Sequence, residues 1–397
     1  MSRPVPIRLC EIHSLAIPMR RKVGHAAAQR VCSEPIIFSI ELADGSLGYG
    51  ETHPREYVSG ESPSDVMASI RDIFLPLLIN TRPANFGEAI EAAAALPTID
   101  DNGRPITAAR AAVELALLDA YSRAFQRSLE SVAGYFEERG FESPGSRHTC
   151  RYTIVLPSGS PAKSAKLARL ARWARITNFK VKVGDEDDDA RLRAVCDTLK
   201  RPLARGAATL TIDANMAWDI DGAKRKLVGW RDLPIQCVEQ PIPKLAAEHW
   251  GRLADESPFP LMPDESLITM IDAEALLEAH GAGWFNIRLS KNGGLIPALR
   301  LAILANRNHI PVQLGCMVGE TSILSAAARW FLQMTPGVRR VEGSFGRLLL
   351  SEDVVARPLR FGLAGRWRPM SGFGLGIHVD RERLRRLGVI EPEIARF

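Results

Sequence analysis

Three short stretches of the sequence decide the fold: TLTIDAN at 209–215, IQCVEQP at 235–241 and LMPDES at 261–266. Each places one acidic residue, Asp213, Glu239 or Asp264, at the end of an apolar run. These residues are 26 and 25 positions apart, which is the length of one strand, one helix and their loops. Because parallel strands end at the same edge of a sheet, the spacing predicts that the three carboxylates lie together.

A cluster of three carboxylates needs positive charge among its members. Carboxylates that gather at one sheet edge repel one another unless a cation lies between them. Ligation by oxygen atoms alone suits Mg²⁺ better than a softer metal. We therefore predict a magnesium site with Asp213, Glu239 and Asp264 as its ligands.

The same spacing continues on both sides of this cluster. Lys182, in FKVKVG, comes 31 residues before Asp213, and Arg288, in FNIRLSKNGG, comes 24 residues after Asp264. Further strand-like runs occur at 151–155, 311–314 and 338–341. Eight such runs at one approximate period predict a closed (β/α)₈ barrel, whose chemistry lies at the C-terminal ends of its strands.

The motifs at these strand ends carry a resemblance to a known family. In order and spacing they resemble the barrel of the enolase superfamily, and specifically its muconate-lactonizing-enzyme-like subgroup. The barrel motifs are KVKVG, DAN, VEQP, PDES and NIRLSKNGG, with GSLGYGE at 45–51 resembling the cap and GFGLGIHVD at 372–380 the closing segment. The resemblance implies an α/β fold: a (β/α)₈ TIM-type barrel with an N-terminal α+β capping domain that the C-terminal segment completes.

The chain is expected to divide into a cap at 1–145, a barrel at 146–357 and a segment at 358–397 that returns to the cap. Within the cap, the runs 36–42 and 48–51 around the turn Asp44-Gly45 predict a hairpin. Apolar residues at helical spacing over 106–121 predict a helix packed on that sheet. Ser143-Pro144-Gly145-Ser146 is typical of a linker into the first barrel strand.

Lys182 is the candidate base for chemistry at such a site. If a substrate carboxylate binds Mg²⁺, removal of its α-proton places charge where the cation stabilises it as an enediolate. Alternation along the strand puts Lys180 on the same face as Lys182. A neighbouring ammonium is expected to lower the pKa of Lys182 towards the working pH.

Arg288 departs from the family pattern, because racemases and cycloisomerases of this subgroup carry a second lysine at its position. Arginine keeps its proton at physiological pH, so it does not serve readily as a second base. We expect one-sided proton transfer by Lys182, with Arg288 binding an anion and the substrate carrying a second anionic or strongly polar group. Lys291 also matches the subgroup; it is a candidate substrate contact, although its place beyond the strand end favours a structural role.

Further candidates come from the resemblance alone. Glu320, in GCMVGETS, resembles a family glutamate, although its loop is one residue longer here. His25, Arg55 and Tyr57 lie in the segments 25–30 and 52–60, which match cap loops that close over the substrate. Asn215 either assists the metal ligands or makes a turn.

Three functions remain open from the sequence. The first is a Mg²⁺-dependent isomerase of the cycloisomerase or epimerase kind that acts on a small-molecule carboxylate. The second is a lyase, such as a dehydratase or an enzyme like o-succinylbenzoate synthase, with the same base and metal. The third is a non-catalytic barrel that binds a metabolite or partner, against which the retained Lys182 and three carboxylates argue.

Composition agrees with a globular enzyme of 397 residues. Hydrophobic residues make up 46% and charged residues 24%, and the net charge of +5 is not concentrated in a basic tract, so no nucleic-acid partner is expected. No apolar segment approaches membrane-spanning length, and the six cysteines show no metal-binding pairing. We expect a cytoplasmic protein without a membrane partner, assembled as a homo-oligomer.

Overall fold

The computed structural model describes residues 4–25, 28–137, 150–335 and 337–397. The predicted linker at 143–146 lies outside these residues, as does part of the cap segment 25–30. In the described parts of the chain, no helix is both long and apolar enough to cross a bilayer.

The N-terminal part contains two small antiparallel sheets and a layer of helices. Its strands are β1 (Ile7–Ser14), β2 (Ile17–His25), β3 (Ala28–Ser33), β4 (Ile36–Leu42) and β5 (Leu47–Thr52). Its helices are α1 (Glu56–Ser59), α2 (Pro63–Ser69), a π-helical turn (Ile70–Phe74), α3 (Leu75–Leu78), α4 (Phe86–Ala95), α5 (Thr107–Ala124) and α6 (Ser131–Glu137).

The predicted hairpin and helix of the cap are confirmed. β4 and β5 pair antiparallel from Ile36↔Thr52 to Glu41↔Leu47, and α5 packs on them. The packing is so close that a Cβ at Gly48 or Gly50 would overlap backbone atoms of α5. Glycine at these two positions therefore allows the helix to approach the sheet.

Eight strands, each followed by a helix, make up the second part, and the predicted (β/α)₈ barrel is confirmed. The strands are β6 (Thr153–Leu156), β7 (Asn178–Lys182), β8 (Thr209–Asp213), β9 (Ile235–Glu239), β10 (Leu261–Met262), β11 (Phe285–Ile287), β12 (Val312–Leu314) and β13 (Val338–Val341). The helices are α7 (Pro161–Trp173), α8 (Asp188–Thr198), α9 (Lys200–Ala204), α10 (Ile220–Gly229), α11 (Ala247–Glu256), α12 (Met270–Glu278), α13 (Leu295–Arg307), α14 (Ser322–Met334) and α15 (Gly346–Leu349).

Parallel pairing closes the barrel. Strands β6 to β10 form one continuous sheet and β11 to β13 another. The amide of Asn286 donates to the Pro263 carbonyl oxygen at 3.3 Å, and a parallel bridge joins Tyr152 to Val341. These two contacts connect the sheets at both seams, so all eight strands end at the same rim.

The C-terminal segment returns to the cap. It contains a 3₁₀ turn (Leu363–Gly365), α16 (Arg381–Leu387) and β14 (Glu393–Arg396), and β14 pairs antiparallel with β1. The buried carboxylate of Asp119 in α5 accepts the Leu375 amide at 2.6 Å. The segment thus adds an edge strand to the cap sheet, while the three domain limits stay a prediction.

Two buried cap carboxylates fix the cap on the barrel. Glu114 accepts the Leu295 and Ile296 amides at 2.8 and 2.7 Å, at the start of α13. Glu51 accepts the Thr321 and Leu324 amides at 2.7 and 2.9 Å, at the start of α14. Negative charge is stabilised at a helix N-terminus, so both contacts hold the cap over the strand-end rim.

Candidate active site

The three predicted carboxylates converge at the C-terminal rim of the barrel. Asp213 and Glu239 are the last residues of β8 and β9 and pair directly in register, while Asp264 follows β10 by two residues. All three are fully buried. Strand order and register alone bring together groups that are far apart in sequence.

Each carboxylate is in contact with a cation of the chain. Lys182 Nζ lies 2.5 Å from Asp213 Oδ2, and Lys180 Nζ lies 2.5 Å from Glu239 Oε2. The guanidinium of Arg288 donates to Asp264 and lies 3.5 Å from Glu239. Positive charge therefore does lie among the carboxylates, as their mutual repulsion requires.

The chemistry of the carboxylates fits Mg²⁺, although lysine and arginine side chains now contact them. Among the residues that the structure describes, no three acidic, histidine or cysteine side chains are arranged to hold an ion as they stand. The pKa of Glu239 is raised to about 8, first by burial and then by the negative charges of Asp213 and Asp264, which Lys180 only partly offsets. Three buried carboxylates that repel one another supply oxygen donors suited to a hard divalent cation.

The expected lowering of the lysine pKa is wrong in this geometry. Burial disfavours the charged form of Lys182, and the ammonium of Lys180 repels it. Attraction by Asp213 and Glu239 outweighs these two effects, so the pKa of Lys182 is raised. The pKa of Lys180 is also raised, because Glu239, Glu342 and Asp213 outweigh its burial. Lys182 thus holds its proton while Asp213 is its partner.

The prediction that Lys291 contacts the substrate is wrong. Its side chain is fully buried, and Nζ donates to the Asp264 carbonyl oxygen at 2.6 Å, to Asp264 Oδ1 at 3.0 Å and to the Asn286 carbonyl oxygen at 2.9 Å. Three protein acceptors use the three donors of an ammonium group. Lys291 therefore orients Asp264 from below.

A cavity of about 390 Å³ opens above the rim. Lys182 and Arg288 line it from the barrel, and Arg55 and Tyr57 line it from the cap. Glu320 and Asn215 also line it, so six sequence-predicted side chains share this space, while Lys180, Lys291 and the three carboxylates are not among the residues that line it. The side chain of His25 lies outside the described residues.

Glu320 and Asn215 are each held by short contacts. Burial, followed by the charge of Glu51, raises the pKa of Glu320 well above its usual range, and Glu320 Oε2 accepts the Met317 amide at 3.3 Å. Asn215 has a positive φ of 47° and accepts from Lys182 Nζ at 2.7 Å. Asn215 therefore both makes a turn and contacts the candidate base.

Several polar residues of the site were missed from the sequence, among them Glu342, Asn286 and Gln313. Glu342, directly after β13, lies 2.5 Å from Lys180 Nζ. Asn286 and Gln313 donate to the two oxygens of Glu239 at 3.0 and 2.9 Å. The strand-end position of Glu342 is the same signal that identified Asp213 and Glu239, and could have identified it too.

Comparisons with known proteins agree along the whole chain. Residues 163–383 match the family described as "Enolase C-terminal domain-like", and residues 9–134 match "Mandelate racemase / muconate lactonizing enzyme, N-terminal domain". Muconate cycloisomerase 1-2 of Acinetobacter lwoffii is 28% identical over 98% of this chain and 96% of its own. L-Lys-D/L-Arg epimerase of Methylococcus capsulatus is 32% identical over 80% of this chain and 84% of its own.

A solved structure supports the same fold. The dipeptide epimerase of Cytophaga hutchinsonii, in complex with Mg and the dipeptide D-Ala-L-Val, superposes with a TM-score of 0.81. It is 22% identical and covers 98% of this chain and 99% of its own, a likeness that concerns the fold. By sequence and by fold, the chain belongs to the enolase superfamily, in its muconate-lactonizing-enzyme-like subgroup.

Proposed function

We propose that the protein is a Mg²⁺-dependent isomerase that removes the proton α to a carboxylate of a small molecule, with Lys182 as the base. The observation that carries this proposal is the position of Lys182. Of the three lysines identified from the sequence, Lys180, Lys182 and Lys291, only Lys182 is among the described residues that line the cavity. A base must reach its substrate, and the other two lysines are buried beneath it.

Asp213, Glu239 and Asp264 are the residues proposed to hold Mg²⁺. When bound, the ion would stabilise the negative charge that develops on the substrate carboxylate as the α-proton leaves. Asn286 and Gln313 orient Glu239 by donating to both of its oxygens. Lys182 becomes a base when Asp213 is engaged elsewhere, because Asp213 is the main attraction that keeps its proton in place.

Proton transfer is proposed to occur on one face of the substrate. Arg288 stands where a second base would be needed, and its guanidinium is bound to Asp264. An arginine in that state does not take a proton at physiological pH. Chemistry in which Lys182 both removes and returns the proton, as in cycloisomerisation, is therefore favoured over two-base racemisation.

A deuterium-exchange screen tests the proposal. Amino-acid derivatives, dipeptides, acid sugars and lactones are incubated with the protein and Mg²⁺ in D₂O, and α-deuteration is followed by mass spectrometry and proton NMR. We expect exchange or isomerisation of at least one carboxylate, and its loss in excess chelator. An unsaturated or keto product would instead identify a lyase, and full activity in chelator would contradict the role of the metal.

A further inference from the structure

The cap side of the cavity is rich in arginine. Arg21, Arg30 and Arg55 line it, opposite Lys182 and Arg288 of the barrel. On the barrel side each of these two cations touches a carboxylate, Asp213 or Asp264.

No carboxylate among the described residues forms an ion pair with Arg55. Its side chain is almost fully buried, with 5% of the residue exposed. Nη1 donates to the Pro54 carbonyl oxygen at 3.1 Å, and Nη2 is buried without an acceptor among the side chains and backbone groups that the structure describes. A buried guanidinium that lacks an anionic partner is costly, and a neighbouring anion would relieve that cost.

The surroundings of Arg55 increase its need for an anion. Burial and the charge of Arg30 both lower the pKa of Arg55, to about 10. Glu34 lies 3.7 Å from Arg30 and is itself 58% exposed, so it compensates Arg30 at the solvent edge. Arg30 adds positive potential at Arg55 and contributes no acceptor.

We propose that Arg55 binds a second carboxylate of the substrate, on the cap side of the cavity that Lys182 lines from the barrel. The proposal rests on the proposed function, because the substrate's reacting carboxylate is assigned to the barrel rim. It also moves the expected second anion from Arg288, whose guanidinium Asp264 already holds, to Arg55. The substrate class is then a small dicarboxylate, or an amino-acid derivative whose far end carries a carboxylate.

Binding of matched acids tests this site without any need for turnover. Dicarboxylates from succinate to suberate are titrated calorimetrically into the parent protein with Mg²⁺, each against the monocarboxylate of equal chain length. We expect the best dicarboxylate to bind about 10- to 100-fold more tightly than its monocarboxylate, the range for a charge-assisted hydrogen bond. Equal binding of both members at every length would overturn the proposal.

Variants of two cavity arginines localise the preference. Arg55→Met keeps an apolar stem without the guanidinium and should reduce the preference to less than about threefold, while Arg55→Lys, which keeps the charge, should retain part of it. Arg21→Met is the matched control, because Arg21 lines the same cavity but is exposed to solvent, and it should keep the preference. A preference unchanged in Arg55→Met, or lost equally in Arg21→Met, would show that Arg55 is not the site.

The two proposals fail in different ways. A dicarboxylate preference that depends on Arg55, without α-proton exchange of any compound, would retain the anion site and contradict the isomerase. Exchange of a substrate with one carboxylate, at a rate that Arg55→Met leaves unchanged, would retain the isomerase and contradict the anion site.

Discussion

The two sides of the cavity differ in how their charges are balanced. On the barrel side, Lys182 and Arg288 each contact a buried carboxylate, and Lys180 lies 2.5 Å from two carboxylates and 3.9 Å from a third. On the cap side, Arg55 donates to the carbonyl oxygen of Pro54, and no carboxylate of the described residues forms an ion pair with it. Balanced charges fix the geometry of a reaction site before substrate arrives. An unbalanced charge leaves a place for the ligand to fill, so the barrel is suited to the chemistry and the cap to the choice of substrate.

Removal of one barrel carboxylate should have the largest effect. Asp264→Asn withdraws a proposed metal ligand, leaves Lys291 without its carboxylate partner and leaves Arg288 with Glu239 alone. We expect α-proton exchange to fall by at least about 10³-fold, since metal stabilisation contributes several kcal/mol. Exchange is measured by proton NMR in D₂O after chelation and return of Mg²⁺. The parent should recover and the variant should not; recovery of both would remove Asp264 from the site.

The next largest effect should be a difference in stability between variants of the barrel side and of the cap side. Lys180→Met leaves Glu239 and Glu342 buried without their ammonium partner, and we expect it to lower the free energy of unfolding by about 3–5 kcal/mol. Arg55→Met removes a buried charge that has no anionic partner and should change stability by less than about 1 kcal/mol or increase it. Urea denaturation of both variants without Mg²⁺ makes the comparison. Equal losses would mean that Arg55 is as well paired as Lys180.

The contact of Asp353 with the start of α14 should respond to pH. Burial raises the pKa of Asp353 to about 6 from its usual 3.8, although Ser322 donates to it. Because the folded state binds this proton more tightly, the stability contribution is largest below about pH 4 and is lost as pH rises to about 6. Relative to Asp353→Asn, the parent should lose about 2–3 kcal/mol over that window. If the melting temperatures of the two proteins change equally between pH 4 and 7, the raised pKa of Asp353 is contradicted.

The smallest expected effect is a change in which substrate enantiomer undergoes exchange when Arg288 is substituted. Arg288→Lys restores a titratable group where the subgroup carries its second lysine. We expect exchange of the second enantiomer of a resolved substrate to rise about tenfold or more in the variant, while exchange of the first changes less. Rates for each enantiomer come from chiral chromatography with mass detection. Rapid exchange of both enantiomers by the parent would show that one-sided transfer is wrong.

The fold and most of the site could be predicted from the sequence because both depend on strand ends. Asp213, Glu239 and Asp264 follow apolar runs at a regular spacing, and parallel pairing places them together whatever the intervening helices contain. The same rule applies to Glu342 after Val338–Val341, although no quoted motif drew attention to it.

Energies that depend on contacts across the barrel could not be predicted. Lys180 is visible beside Lys182 in the sequence, which suggested a lowered pKa for Lys182. Attraction from Asp213, 31 residues away in the chain, reverses that direction. Likewise the permanent charge of Arg288 is plain in the sequence, but only the structure shows that Asp264 already compensates it, whereas Arg55 has no such partner.

The central claim, that Lys182 moves the α-proton, has a direct test. Exchange of a screened carboxylate in D₂O is measured for the parent, for Lys182→Ala, and for Lys182→Ala with added methylamine. We predict a loss of about 10²- to 10⁴-fold in the variant, the usual contribution of a general base, with partial recovery in methylamine and a far-UV circular dichroism spectrum that matches the parent. Exchange by Lys182→Ala at the parent rate would contradict the account and assign the proton to another residue.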